Sequence, residues 1–306
     1  MTSVTKRKGL NQSTPEGLVK PRAKKALDTT TAFGCSRDFR GQYPYIVISP
    51  RARGLSLGIN LNPNRFCNFD CVYCEVPRGE LDHESAVDLD QMSAELQGAL
   101  AQILSNQLTK EPLYSRIPAE LLQLRQIAIS GDGEPTLCPN FQEVIETLVH
   151  LRATRKIPKL DFVLFTNASG LHLSNVRAGI ELLTDHDEIW AKLDTGTQSG
   201  LQEINRTDVP LETILANILD LARERPVVIQ SLFTSVDGVG PTSDEISALG
   251  QRIKTLKSKG AKIPLVQVYS PTRPTHRNRC EHLPLGQLSD IAKEITRISG
   301  VTAEAF

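Results

Sequence analysis

The sequence lacks several features that mark particular classes of protein. It has no run of about 18 apolar residues, which a membrane-spanning helix requires, and residues 1–13 lack the apolar centre of a secretory signal. Its 35 basic and 35 acidic residues leave no net charge that would attract nucleic acid or anionic lipid. We therefore expect a cytoplasmic protein without a membrane partner, in which any anionic partner binds a local patch.

Cysteine is also scarce, because six cysteines among 306 residues are too few for a disulfide scaffold. Cys35, Cys138 and Cys280 are scattered singly, as small packed thiols commonly are. The stretch RFCNFDCVYCEVP (65–77) groups the other three within eight residues, namely Cys67, Cys71 and Cys74. In a reducing compartment such a group indicates metal or redox chemistry.

The N-terminal residues differ in composition from the rest of the chain. Residues 1–25 contain seven Lys or Arg and one Glu, with almost no periodic apolar pattern. A segment of this kind buries too little apolar surface to fold alone. We predict a mobile basic arm over residues 1–30, followed by a single domain over residues 31–306.

From residue 54 onward, short apolar runs alternate with segments of helical periodicity. Strands are predicted at 54–61, 125–130, 161–166, 188–194, 227–234 and 264–270, with a helix between each pair. A last helix, predicted at 285–299, would pack at the closing edge. Nearly continuous apolar strands separated by helices predict an α/β fold with a parallel sheet covered by helices. With right-handed crossovers, such a sheet either opens as a doubly wound fold or curls into a partial barrel.

The segments that follow the predicted strands are polar, rich in glycine or rich in cysteine. They are, in order, the cysteine stretch, SGDGEPT, TNASG, KLDTGT, QSLFT with its Gly-rich turn, and YSPTRPTHR. Because functional residues in parallel α/β folds lie at the C-terminal ends of the strands, we expect these segments to converge.

Three kinds of site would use the grouped cysteines. A structural zinc site needs a fourth ligand, for which His83 is the nearest candidate. A fully ligated iron-sulfur cluster for electron transfer would take Cys138 or Cys280 as its fourth ligand. A 4Fe-4S cluster held by three cysteines would leave one iron free to bind a substrate, and this alternative gives the other converging loops a role.

The motif CNFDCVYC after a first strand resembles the C-x3-C-x2-C motif of the radical S-adenosylmethionine (radical SAM) enzymes. The resemblance covers about residues 50–272, which would form the core of the domain, and implies a partial (βα)6 barrel with parallel strands and helices outside. It implies that Cys67, Cys71 and Cys74 hold a 4Fe-4S cluster and that S-adenosylmethionine binds the remaining iron.

Further binding residues follow from the same resemblance. SGDGEPT resembles the family's Gly-rich, Glu-bearing segment, although Asp132 separates its two glycines. The implied contacts to the methionine amine come from Gly131, Asp132, Gly133 and Glu134. Contacts to the ribose are implied for Asn167 and Asp194, and contacts to the adenine for Tyr73, Gln230 and Tyr269.

The implied activity is reductive cleavage of S-adenosylmethionine to a 5′-deoxyadenosyl radical that removes hydrogen from a substrate. The electron would come from a reductant such as flavodoxin or ferredoxin. Within the superfamily, the motifs are similar to those of a group of Fe-S oxidoreductases whose nearest relatives of known function include wyosine-forming tRNA enzymes. Archaeal members of that subgroup carry extra N-terminal cysteines, where this chain has only Cys35. A tRNA-modifying enzyme, an activator of glycyl-radical enzymes and an electron-transfer protein that does not cleave S-adenosylmethionine remain alternatives.

Two basic groups bear on the substrate. Arg51 and Arg53 precede the first strand, and four basic residues follow the sixth, namely Arg273, His276, Arg277 and Arg279. If both groups edge the barrel mouth, they would bind phosphates of tRNA or of a small anionic substrate. The alternative is that these arginines face water or pair with acidic residues. An aromatic content of 5% offers no evident platform for stacking bases.

Overall fold

The predicted alternation of strands and helices is present in the computed structural model, which describes residues 37–78, 85–277 and 279–306. The basic arm predicted for residues 1–30, Cys35 and the candidate ligand His83 lie outside the described residues. None of the helices within those three ranges is both long enough and apolar enough to cross a membrane.

The six predicted strands and six predicted helices are present in the predicted order, together with elements that were not predicted. The strands are β1 Asp38–Phe39, β2 Pro44–Ser49, β3 Gly54–Asn60, β4 Leu124–Ser130, β5 Phe162–Thr166, β6 Glu188–Lys192, β7 Val228–Leu232, β8 Ser235–Val236, β9 Val266–Tyr269, β10 Cys280–Glu281 and β11 Ala303–Ala305. The helices are α1 Leu89–Leu104, α2 Phe141–Ala153, α3 Ser174–Glu181, α4 Gln198–Gly200, α5 Leu211–Glu224, α6 Ser243–Ser258 and α7 Leu285–Ser299.

Nine of these strands form one sheet, in the order β1-β2-β3-β4-β5-β6-β7-β9-β11. The strands from β3 onward are parallel, whereas β1 and β2 are antiparallel additions beside β3. Strands β8 and β10 form a separate antiparallel pair. The main sheet therefore extends beyond the predicted core of residues 50–272 at both ends.

The main sheet curls instead of lying open and flat. The Arg51 guanidinium carbon, from the turn before β3, lies 4.4 Å from the centre of the Tyr269 ring at the end of β9. These residues come from strands near opposite edges of the sheet, so the two edges approach each other. This geometry confirms the predicted α/β fold with the partial barrel form and excludes the flat doubly wound alternative.

The two faces of the strands have different characters. Leu55, Leu57 and Ile59 of β3 point outward into the hydrophobic core beneath the helices. On the inner face Gly58 lies against Tyr45 of β2, where a Cβ atom would overlap the ring. The inner face also carries polar side chains such as Ser56 and Gln126, which hydrogen-bond to each other at 3.1 Å. The interior of the barrel is therefore suited to hold polar groups.

Side-chain capping is present at some of the helix starts. Asp88 accepts a hydrogen bond from the Gln91 backbone N–H before α1, and Thr242 forms a reciprocal capping box with Glu245 before α6. Asn140 occupies the N-cap position of α2 but makes no capping bond, because its side chain instead exchanges two hydrogen bonds with the Val87 backbone. The Asn140 side chain thus binds a loop that is distant in sequence instead of the first turn of α2.

Helix α7 ends before Gly300, as the sequence indicates, and Gly300 adopts the left-handed conformation that favours glycine. The helix packs on α6, where Gly250 brings the backbone close to Ile298. The chain then returns to the sheet as β11, parallel to β9. The predicted closing helix therefore precedes an additional, unpredicted strand.

Asp187 joins three elements at the start of the parallel strands. Its buried carboxylate accepts hydrogen bonds from Arg152 of α2 at 2.5 and 2.8 Å, from the Phe162 backbone at 2.8 Å and from Thr184. Burial alone would raise the pKa of Asp187, but these hydrogen bonds outweigh it and hold the pKa below its ordinary value.

Replacing Asp187 with Ala is expected to lower the free energy of unfolding by about 3 kcal/mol at pH 7, because Arg152 loses its counter-charge. Since the folded pKa lies below the unfolded one, this contribution is complete above about pH 4 and is lost as the pH falls through the folded value. Urea unfolding across that pH range measures it. Asp185→Ala, at an exposed neighbour, should change the free energy by less than about 0.5 kcal/mol. Equal losses in the two variants at pH 7 would contradict this account.

Candidate cofactor and substrate site

The cysteine loop, residues 61–78, follows β3 and is held by backbone hydrogen bonds to three other loops. The Phe66 carbonyl accepts from the Glu134 N–H at 3.1 Å, after β4. The Asp70 N–H donates to the Asn205 carbonyl at 3.1 Å, and the Cys74 carbonyl accepts from the His276 N–H at 2.8 Å. The loops that follow β3, β4, β6 and β9 therefore meet, as the sequence predicts.

Each of the three cysteine sulfurs has a side-chain N–H donor. Asn167, which follows β5, donates to the Cys67 sulfur at 3.9 Å. Asn205, which follows β6, donates to the Cys71 sulfur at 3.4 Å. Arg78, from the cysteine loop itself, donates to the Cys74 sulfur at 3.3 Å. Donors in this arrangement favour sulfur atoms that carry negative charge.

Desolvation controls the protonation of two of these thiols. Burial raises the pKa of Cys67 to about 12, although the Arg78 charge acts in the opposite direction. Burial also raises the pKa of Cys71, against the charge of Lys192 and the hydrogen bond from Asn205. A free thiol in either place stays protonated at neutral pH, whereas coordination to a metal deprotonates it. The surroundings of Cys67 and Cys71 therefore suit a thiolate bound to a metal better than a reactive free thiolate.

The three cysteines are not arranged as the ligands of one metal ion. Within residues 37–78, 85–277 and 279–306, no three His, Cys, Asp or Glu side chains are grouped closely enough to hold a single metal ion. A structural zinc ion needs such a group, with ligands at about 2.0–2.3 Å. An iron-sulfur cluster places each thiolate on a different iron atom, so its ligands need no common centre. This arrangement is compatible with a multi-iron cluster.

Several buried polar atoms around the cysteine loop lack partners. In the described part of the chain, no hydrogen bond reaches Asn62 Oδ1, Arg78 Nε, Asn205 Oδ1 or Thr275 Oγ1. Buried polar groups are rarely left unpaired, and such groups mark places where an additional ligand is bound. Their concentration here fits the bound cluster and cofactor that the sequence predicts.

The two glycines after β4 fit tightly against the cysteine loop. A Cβ atom on Gly133 would overlap the Phe66 carbonyl oxygen, and one on Gly131 would overlap the Asn60 side chain. Asp132 between them is fixed by Asn60 at 2.9 Å and by Arg37 at 2.5 Å. Both glycines are needed for close approach of the backbone, while Asp132 connects this loop to the start of the described chain.

Glu134 is buried and supports the neighbouring loop. Its carboxylate accepts hydrogen bonds from Thr136, from the Thr166 hydroxyl at 2.6 Å and from the Asn167 backbone N–H at 2.6 Å. Burial raises the pKa of Glu134, although each of these hydrogen bonds lowers it. The carboxylate thereby positions Asn167, the donor to Cys67.

A second buried network surrounds Cys71. The Tyr73 hydroxyl donates to Asp194, and the Lys192 ammonium group donates to the Tyr73 hydroxyl at 2.8 Å. Asn205 donates to Asp194 at 2.6 Å as well as to Tyr73 and the Cys71 sulfur. Burial would lower the pKa of Lys192, but the Asp194 charge and further neighbours outweigh it and raise the pKa. Lys192 is therefore a permanent cation beside the cysteine loop.

A cavity of about 290 Å³ opens inside the barrel, next to these networks. Its wall includes the predicted residues Cys74, Tyr73, Gly131 and Tyr269, together with Lys192. Another depression, of about 420 Å³, is lined by uncharged residues such as Leu122, Leu124 and Pro158 and contains no titratable side chain. Of these two cavities, the barrel cavity is the one lined by titratable side chains and by predicted site residues.

Three other residues that were predicted to contact the cofactor do not line the cavity. Gln230 donates to Gln267 at 2.9 Å on the inner face of the sheet. Both carboxylate oxygens of Asp194 accept hydrogen bonds from the protein, including one from the Leu232 backbone at 2.8 Å. Asn167 donates to Asn68 at 2.9 Å. The ribose contacts assigned to Asn167 and Asp194 and the adenine contact assigned to Gln230 stay predictions.

Sequence reasoning did not identify Lys192, Asn205 or Arg78 as members of the site. Lys192 had one detectable signal, since a lysine inside the apolar strand EIWAKLD is rarely buried without a partner. Asn205 ends a π-helical turn that no sequence periodicity reveals. The contact of Asn205 with Cys71 depends on which loop this turn packs against.

The basic residues after β9 are paired with acidic side chains. Arg273 contacts Glu75 at 2.7 Å, Arg277 contacts Asp70, and Arg279 contacts Asp237. His276 is exposed and uses its backbone N–H to bind the cysteine loop. Of the two alternatives for this segment, the structure thus shows pairing with acidic residues for its three arginines.

Comparison with known proteins shows which of them this chain resembles. No known family profile matches the chain. Over 175 residues it is 33% identical to a UPF0026 protein of Synechocystis sp., a match that covers 56% of each chain. It is 23% identical over 237 residues to a UPF0026 protein of Helicobacter pylori, covering 74% of this chain and 67% of that one. The chain thus spans only part of the length of the curated relatives it matches.

Several solved structures share this fold. A radical SAM methyltransferase from Sphaerobacter thermophilus aligns over 86% of this chain and 68% of its own, with a TM-score of 0.60 and 13% identity. TYW1 with a lysine-pyruvate adduct bound aligns over 86% of both chains, with a TM-score of 0.53 and 15% identity. SuiB of Streptococcus suis, bound to S-adenosylmethionine, covers 82% of this chain and 51% of its own, with a TM-score of 0.51 and 15% identity. At these identities the likeness establishes the fold.

Gly133→Ala is expected to lower the free energy of unfolding by about 1–3 kcal/mol, because the new Cβ atom displaces the Phe66 carbonyl and its hydrogen bond to Glu134. The cysteine loop should loosen at the same time. Mass spectrometry of protein without a cluster, pulsed with a thiol reagent, should show faster labelling of Cys67, Cys71 and Cys74.

Gly98→Ala is the matched control. Gly98 is exposed on α1 with nothing near its Cβ position, so the same substitution should raise the free energy of unfolding by about 0.5–1 kcal/mol and leave thiol labelling unchanged. Gly133→Ala with native stability and native labelling rates would refute the close fit described above.

Proposed function

We propose that this protein is a radical SAM enzyme in which Cys67, Cys71 and Cys74 hold a 4Fe-4S cluster with one iron free for S-adenosylmethionine. The observation that carries the proposal is the set of three cysteine sulfurs, each with its own N–H donor, at the C-terminal ends of the strands of a partial barrel. The structural similarity to radical SAM proteins supports it at the level of fold.

When bound and reduced, the cluster would supply the electron that cleaves S-adenosylmethionine to methionine and a 5′-deoxyadenosyl radical for hydrogen abstraction from the substrate. A low-potential protein such as flavodoxin or ferredoxin is the proposed electron donor. The donors Asn167, Asn205 and Arg78 would stabilise negative charge on the sulfurs, and hydrogen bonds of this kind raise the reduction potential of such clusters.

The glycine loop and the buried networks would orient the cofactor. Gly131 lies on the cavity wall, and its missing side chain lets Asn60 pack against the backbone there. Tyr73 lines the cavity while Lys192 and Asp194 fix its hydroxyl. Because these contacts exist within the protein, the site is organised in advance and loses little entropy when the cofactor binds.

Two observations weigh against a reaction of the wyosine type on tRNA. The arginines after β9 that would contact phosphates are paired with acidic residues. Lys192 is held as a cation by Tyr73 and Asp194, and a protonated lysine is a poor nucleophile for an adduct such as the one named for the TYW1 structure. We therefore propose hydrogen abstraction from a small substrate in the barrel cavity.

Anaerobically reconstituted protein should show a broad absorbance near about 400 nm, typical of iron-sulfur centres, and release methionine and 5′-deoxyadenosine when reduced with dithionite in the presence of S-adenosylmethionine. Cys71→Ala should lose both, since a thiolate ligand is missing. The measurement combines iron analysis, absorbance and chromatography of the products.

Cys138→Ala and Cys280→Ala serve as controls with a second purpose. Both should keep the cluster and the cleavage activity, because the proposal leaves the fourth iron without a protein ligand. Loss of the cluster in either variant would indicate a fully ligated electron-transfer centre, and stoichiometric zinc without iron in the intact protein would refute the proposal.

A further inference from the structure

Arg51 places a positive charge inside the barrel without an acidic partner. Its guanidinium lies against three aromatic rings, with its carbon 4.4 Å from the centre of Tyr269, 5.6 Å from that of Trp190 and 5.7 Å from that of Phe165. One terminal nitrogen, Nη1, is buried and has no hydrogen-bond partner in the described part of the chain. Tyr269 lies close enough for its hydroxyl to interact with the guanidinium, whereas the faces of Phe165 and Trp190 offer no acceptor atoms and stabilise the cation only partly.

Desolvation makes this position unfavourable for an isolated charge. Burial lowers the pKa of Arg51, and contact with Tyr269 offsets only part of that effect. A buried donor left without an acceptor destabilises the folded protein, and more so when the donor is charged. Arginine remains protonated under all ordinary conditions, so the charge persists and attracts an anion.

The surrounding cavity has an excess of basic groups. Its wall contains four basic side chains and a single acidic one, Glu75. Glu75 is shared by Arg37 at 3.4 Å and Arg273 at 2.7 Å, and Lys192 is held by Tyr73 and Asp194. Arg51 alone among the four basic residues of the wall has no ion pair or hydrogen bond to an acidic group of the described chain.

Arg53 provides an internal comparison. It lies two residues further along the same turn, is exposed, and has a positive φ of 52° that directs the chain back into β3. The turn therefore separates two arginines of similar sequence position, one inside the barrel and one outside it. Only Arg51 lines the cavity.

We propose that Arg51 binds an anionic group, a carboxylate or a phosphate, of the substrate in the barrel cavity. The guanidinium offers two parallel N–H donors to such a group, and Lys192 on the same wall adds a second positive charge. The volume of about 290 Å³ admits a small molecule or one end of a larger one. The binding of the anion stands on the cavity alone, whereas its identity as the substrate rests on the proposed function.

Trp190 is the single tryptophan of the chain and lies beside Arg51, so its fluorescence reports on this site. The full-length protein, with and without reconstituted cluster, is titrated with inorganic pyrophosphate in one arm and with succinate in the other, at constant ionic strength. We expect a saturable change in at least one arm, and the arm with the tighter binding identifies the anion as phosphate-like or carboxylate-like.

Arg51→Gln should weaken that binding at least tenfold, because it removes the charge but keeps a polar side chain of similar length. Arg51→Lys, which keeps the charge without the paired donors, should bind with intermediate affinity. Arg53→Gln should bind as the unmodified protein does. Circular dichroism and cluster absorbance establish that each variant is folded; if Arg51→Gln does not fold, the intermediate affinity of Arg51→Lys decides the matter.

Two results would overturn the inference. One is the absence of a saturable change in both arms, and the other is equal weakening by Arg51→Gln and Arg53→Gln, which would indicate nonspecific attraction. Failure of the proposed function appears separately, as folded protein that binds the anion with normal affinity but does not cleave S-adenosylmethionine.

Discussion

The structure depends on the backbone hydrogen bonds that tie the cysteine loop to loops from three other strands. Residues 61–78 contain no helix or strand, so the loop has no regular structure of its own to hold its three thiols in place. The carbonyls of Phe66 and Cys74 and the N–H group of Asp70 supply that order by pairing with neighbours after β4, β6 and β9. A parallel sheet makes this arrangement available, because all of its loops at one end share an edge. The same hydrogen bonds therefore join the loops and position the cysteines. A change in any of these loops is expected to shift the sulfur atoms.

A second constraint follows from the polar interior of the barrel. Side chains buried there must find partners. Ser56 with Gln126 and Gln230 with Gln267 pair across neighbouring strands, and Lys192 of β6 pairs with Tyr73 of the cysteine loop. Such pairs keep the inner face polar without leaving donors or acceptors exposed to an apolar core. They also fix rotamers near the cavity, so a ligand meets a surface that is already ordered. Arg51 is the departure from this pattern, which is why its charge indicates a ligand rather than a structural role.

The sequence determines much of this without a structure, for identifiable reasons. The six parallel strands are nearly continuous apolar runs, and the helices between them keep a regular apolar stripe, so both were predictable from periodicity. Strands β1 and β11 were not, because two or three residues carry no period; their places depend on pairing with β2 and β9. The spacing of Cys67, Cys71 and Cys74 identified the candidate cluster ligands, whereas the donors to their sulfurs come from positions up to 134 residues away. Contacts of that range are set by packing, and no local pattern contains them.

The hairpin β2–β3 shows why such residues matter for function. Strand β2 lies outside the predicted core, yet it positions Tyr45 over Gly58 and sets the turn from which Arg51 enters the barrel. The sequence presents Arg51 and Arg53 as equivalent members of one basic group. Arg53 has a positive φ and an exposed side chain, whereas the side chain of Arg51 lines the cavity. Arg51 enters the cavity from the turn between β2 and β3, whereas the three cysteines lie in the loop after β3. In the proposed function, the charge that binds the substrate and the thiolates that hold the cluster are thus supplied by different segments of the chain.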